Sequence, residues 1–113
     1  MLDTDSLVDL GLSRSDLDGI GMARAACARA DGLLADGDAA GAERLLQSAL
    51  EAYPGYLVAY RGLGRAYAMQ GNVALAVDSL QVYLRHAVGA RDAGTVRRWL
   101  RQLEANPDAQ VLR

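Results

Sequence analysis

A chain of 113 residues, 51% hydrophobic and 23% charged, has room for one folded domain and is too apolar to stay disordered. Its single cysteine excludes an internal disulfide, and one cysteine with one histidine cannot supply a four-ligand zinc site. The net charge of −2 hides an asymmetry: residues 1–56 hold ten acids and four arginines (−6), whereas residues 57–113 hold four acids and eight arginines (+4).

Alanine and leucine carry the apolar load and β-branched residues are few, which favours helices over sheets. All twelve basic residues are arginine. The acidic start, Met1-Leu2-Asp3-Thr4-Asp5, lacks a basic, apolar leader, and no stretch approaches the ~20 apolar residues of a membrane span. A reducing cytoplasm is the expected home, with no membrane contact.

In chain order, Asp3–Leu10 reads as one short helix. Ser13 with Asp16 three residues on reads as a capping box opening a second helix, which Gly19 and Gly21 interrupt or use for close contact. Residues 1–22 are therefore expected as an N-terminal helical segment that packs as a pseudo-repeat or makes a homodimer through residues 2–20, with Leu7, Val8, Leu10 and Leu12 as the contact. The string Val8–Leu17 resembles one found in small bacterial proteins of unknown function and assigns none.

From residue 23 the chain repeats. At an offset of 34, Asp36-Gly37-Asp38 falls on Gln70-Gly71-Asn72, Ala30 on Gly64, Leu33 on Tyr67, Ala42 on Ala76 and Leu46 on Leu80. Ala42, Leu45, Leu46, Ala49 and Leu50 form a helical stripe, as do Leu57, Tyr60, Leu63, Gly64 and Tyr67, and then Val73, Ala76, Val77, Leu80, Tyr83 and Leu84. Gly37 and Gly71 mark turns that need positive φ, and Pro54-Gly55 separates blocks 23–56 and 57–90. Gly89 reads as a helix stop and Asp92 as the N-cap of a last helix, 92–105, with Val96, Trp99, Leu100 and Leu103 on its apolar side. Residues 106–113 read as a frayed tail.

The run Tyr60-Arg61-Gly62-Leu63-Gly64-Arg65-Ala66-Tyr67, followed by Gln70-Gly71-Asn72, Ala76 and Leu80, resembles the tetratricopeptide (TPR) signature. The first block resembles it more loosely, with Ala26 and Arg29 where the family has a large aromatic residue and leucine. The second has Tyr83 and Val88 where the family has alanine and proline. The resemblance implies an all-α fold: a short α-solenoid of two TPR-like helical hairpins, with an N-terminal helical segment and a C-terminal capping helix. It also implies that the first helix of each pair lines a concave groove. Carried over, the groove positions are Arg24, Cys27, Asp31, Leu34, Val58, Arg61, Arg65 and Met69. Arg61 and Arg65, at i, i+4, would hold a carboxylate or else pair with Asp31 across the groove. Some TPR domains clamp a terminal carboxylate with Lys and Asn; Cys27, Asp31 and Gly62 stand at those places here, against recognition of that kind.

No catalytic set is evident. A phosphate loop ending in Lys-Ser/Thr is ruled out by the lack of lysine, and there is no His-Glu-x-x-His. Asp36 and Asp38 read as turn and cap, since Gln70 and Asn72 fill the same places. Cys27 reads as a small hydrophobe, His86 as a helix C-terminal residue and Trp99 as core. Arg97, Arg98 and Arg101 form a possible second surface; without interleaved aromatics, nucleic acid is a minor reading beside a partner-facing surface. The expectation is a non-enzymatic adaptor or assembly factor, without cofactor or metal, that binds another protein or peptide, acidic or helical, in its groove. A secretion or folding chaperone shielding a client's amphipathic helix is the alternative.

Overall fold

The computed structural model describes residues 12–105. The helix expected over Asp3–Leu10, the dimer contact at Leu7, Val8 and Leu10, and the tail from Asn106 lie outside them. Five helices make up the described chain: α1 (Arg14–Ala35), α2 (Ala39–Ala52), α3 (Leu57–Met69), α4 (Val73–His86) and α5 (Ala93–Ala105). The all-α, hairpin-stacked architecture expected from the repeats is the one observed.

α1 starts where its capping box directs. The Asp16 backbone N–H donates to Ser13 Oγ at 3.0 Å and the Ser13 N–H donates to Asp16 Oδ2 at 3.1 Å. The helix then runs unbroken for 22 residues through Gly19 and Gly21. The boundary expected after residue 22 thus falls inside α1, and residues 14–22 are the opening turns of the first hairpin. Gly19 is not a break because its missing side chain lets α1 lie against the Ala52 carbonyl and the Tyr53 side chain.

The two hairpin turns share one construction. Gly37 (φ 87°) and Gly71 (φ 79°) take the left-handed conformation that costs glycine least. Each closes a Schellman motif. Asp38 N–H donates to the Leu33 carbonyl (2.8 Å) and Gly37 N–H to that of Leu34, while Asn72 N–H donates to the Tyr67 carbonyl (2.9 Å) and Gly71 N–H to that of Ala68. The polar residue after each glycine then caps the next helix. Asp38 Oδ1 accepts from Gly41 N–H at 2.9 Å and Asn72 Oδ1 from Leu75 N–H at 3.4 Å. A polar-Gly-polar triplet therefore ends one helix and begins another in three residues.

Close packing depends on the small residues at the repeat positions. A β-carbon on Gly62 would stand 2.8 Å from Leu46 Cδ2, and one on Gly64 would overlap Leu80. Leu46 and Leu80 are 1% and 0% exposed. α1 packs on α2 and α3, α3 on α2 and α4, and α5 on α4. The first helices α1 and α3 touch, whereas the second helices α2 and α4 share no comparable contact. The α1–α3 side is therefore the inner side of the stack. One core cluster fills the first hairpin and α3; the other joins α4 and α5 through Leu80, Tyr83, Val96, Leu100 and Leu103.

Candidate functional site

The expected groove residues fall into three groups. Arg24 and Asp31 on α1 are exposed, and Val58 in the first turn of α3 is 37% exposed. Arg61, Arg65 and Met69 on α3 are half-buried, with Met69 packed against the first core cluster. Leu34 does not line the groove. It is 4% exposed and belongs to the core, as does its repeat equivalent Ala68, because both point one helical step inward of the surface row. Cys27 is also buried.

Arg61 is the most constrained of these residues. It pairs with neither an open groove nor Asp31: Arg61 Nη1 donates to Asp92 Oδ2 at 2.5 Å. Tyr83 of α4 donates its hydroxyl to the other oxygen of the same carboxylate, Oδ1, at 2.6 Å. The Arg61 guanidinium also lies over the Tyr83 ring, 5.9 Å from its centroid. Asp92 was expected to cap the last helix with its side chain. It does stand at the helix start, where its carbonyl accepts from Val96 N–H, but its carboxylate turns to Arg61 and Tyr83.

The electrostatics follow from this geometry. Burial pushes the Asp92 carboxyl up, but the hydrogen bonds from Tyr83 and Arg61 and the Arg61 charge outweigh it, so Asp92 lies below its ordinary value. Burial opposes the charge on Arg61, yet the bond to Asp92 and its charge hold the guanidinium above the usual arginine value. Tyr83 is raised by burial and then by its bond to Asp92. Nearer the α1 end of the groove, the Cys27 thiol is raised by burial and by Asp31, against the pull of Arg61. Tyr56 is raised by burial and by Cys27, against Arg24 and Arg61.

Arg65 takes a partner too, its guanidinium 5.9 Å from the centroid of the half-buried Trp99 ring. Both α3 arginines therefore meet residues of the 92–105 segment. Sequence reasoning did not foresee Tyr83 or Tyr56 as features of the site. The departure from the family pattern at Tyr83 was the available signal for the first of them.

The second arginine surface has a register explanation. Val96 and Leu100 stand 34 residues after Gly62 and Ala66, through which α3 meets the first hairpin, and they meet α4 in the same way. Arg98 and Arg101 stand 34 residues after Gly64 and Tyr67, which pack towards α4, and Arg97 stands 34 residues after Leu63, which belongs to the first cluster. All three arginines are exposed. No second helix pairs with α5 among the described residues, so the positions that would face one carry charge.

Among the described residues, no helix is long and apolar enough to cross a membrane and no group of three or more His, Cys, Asp or Glu is placed to hold a metal ion. No curated protein and no solved structure matches the chain significantly. The tetratricopeptide repeat family does match, over residues 33–100, from within α1 to within α5. Repeats of this family generally mediate protein–protein interaction and are typically non-catalytic. With more than half of its length matched and the paired Gly-centred hairpins in place, the chain belongs to the tetratricopeptide repeat family.

Proposed function

We propose that this chain is a non-catalytic interaction module, a small TPR adaptor or assembly factor that binds one partner polypeptide along the inner face of α1 and α3. The observation that carries the reading is the mixed character of that face at its α1 end. Val58 (37% exposed) is one of four large hydrophobic residues left exposed among the described residues. Arg24, which stands at the equivalent position of the first repeat to Val58, is exposed and in no salt bridge among the described residues. An exposed apolar residue and a free cation at equivalent positions of neighbouring repeats suit an amphipathic segment carrying acids. The same pair favours the second reading, a chaperone that shields such a helix in one client. Arg61 and Arg65 serve the fold first, so the free contacts are Arg24, Asp31 and Val58.

Site-specific photocrosslinking tests the assignment. A benzoylphenylalanine at Val58 should crosslink a discrete partner in the native cell, whereas one at Leu75 on α4 should not. Arg24→Glu should abolish the Val58 adduct without changing helicity. An adduct from Leu75 alone, or one indifferent to Arg24→Glu, would remove the groove assignment.

A further inference from the structure

We propose that Arg61 and Tyr83 form a carboxylate-binding cradle that the chain's own Asp92 fills while no partner is bound, and that a partner carboxylate takes its place. This rests on the groove reading and concerns its regulation. The cradle supplies a charged guanidinium donor and a phenol donor to the two oxygens of one carboxylate, a pattern that recognises that group by charge and shape. The pair can be reached from solvent: the Arg61 and Asp92 side chains are 30% and 31% exposed.

Asp92 is also placed to leave. It ends the connection from α4 to α5, in which Gly89 holds φ 79° and Val88 is 89% exposed. The hold of α5 on α4 lies further on, in Val96, Leu100 and Leu103, of which Val96 and Leu103 are 0% exposed. The carboxylate can therefore swing out while the helix stays packed. The second donor is Tyr83, which stands where the family pattern has a small residue, so this cradle is a property of the present chain. Its consequence is selectivity: diffuse anions meet a neutralised arginine, and only a carboxylate presented by a partner already seated in the groove competes with Asp92.

Asp92→Asn removes the competing charge and keeps a residue suited to a helix start. Two labelled probes separate the sources of carboxylate, read by fluorescence anisotropy: an acetylated, amidated hexaglutamate and a Gly-Ser hexapeptide with a free C-terminus. Asp92→Asn should bind at least one probe fivefold or more tighter than the parent chain. Asp78→Asn, an equal charge change at an exposed α4 position, should change affinity less than twofold. Adding Arg61→Gln to Asp92→Asn should cancel the gain. Asp92→Ser serves in the same design if the asparagine variant loses helicity. No gain with either probe, an equal gain in Asp78→Asn, or a gain that survives Arg61→Gln would each overturn the proposal. If the gain is absent while the Val58 crosslink forms, the masked cradle falls and the groove stands; if both fail, the groove reading falls with it.

Discussion

Glycines that look alike in this sequence do opposite work. Gly64 sits on α3 with Leu80 pressed onto it and the Ala76 carbonyl 3.4 Å from where a β-carbon would be. Gly32 sits on α1 with nothing within 4 Å of that place. Gly64→Ala must displace a fully buried leucine, so we expect it to destabilise the fold by about 1–3 kcal/mol. Gly32→Ala adds helix propensity at no steric cost, and we expect a gain of about 0.5–1 kcal/mol. Urea unfolding of the two variants checks both signs. Asp92 carries the second residue-scale prediction. Its carboxyl is depressed in the folded chain, so folding favours the ionised form. That contribution is complete above the unfolded value of about 4 and is lost as pH falls through the lower folded value. Asp92→Asn should therefore cost roughly 1 kcal/mol at pH 7, a figure kept small by the partial exposure of the pair. The difference from the parent chain should shrink progressively as pH falls below the ordinary carboxylate value of about 4, measured as unfolding midpoints across the range.

At the scale of elements, the hairpin turns were legible in the sequence because their determinants are local. A Gly that must take positive φ and a polar residue three positions before the N–H it caps lie within one short window. The Ser13–Asp16 box is local in the same way, and Ser13→Ala should cost about 1 kcal/mol and speed amide exchange over the first turn of α1. After the box two readings stood open at Gly19 and Gly21, an interruption or a close contact, and at Gly19 the second is the one observed. Gly19 and Gly21 look like breakers in one dimension, but Gly19 is required by the approach of the α2 C-terminus, a contact with a residue 33 positions away. Asp92 shows the same limit. Its local context fits an N-cap, yet partners nine and 31 residues distant take its side chain. Leu34 was assigned to the groove from the family's helix positions, and one helical step of about 100° separates the groove row from the core.

Across the whole molecule, the same 34-residue register that builds the repeats also ends them. A solenoid needs a terminal unit whose outer face tolerates water, because each repeat otherwise presents an apolar side to a neighbour. Here α5 buries Val96, Leu100 and Leu103 against α4 and leaves Arg97, Arg98 and Arg101 exposed, with Arg98 and Arg101 at the register positions of Gly64 and Tyr67. That position accounts for the charge of Arg98 and Arg101 without any ligand. Restoring the repeat pattern there should make the end adhesive: Arg97→Leu with Arg101→Leu recreates apolar side chains at the places of Leu63 and Tyr67, with nothing to cover them. Such a patch at one end of the stack makes a contact between copies that exposed arginines deter. We expect the double variant to gain concentration-dependent mass in light scattering at tens of micromolar, while Arg97→Gln with Arg101→Gln keeps the mass of the parent chain. If the leucine variant kept the parent mass at every concentration, polarity at these positions would not be what closes the array, and the cluster would need a partner to account for it.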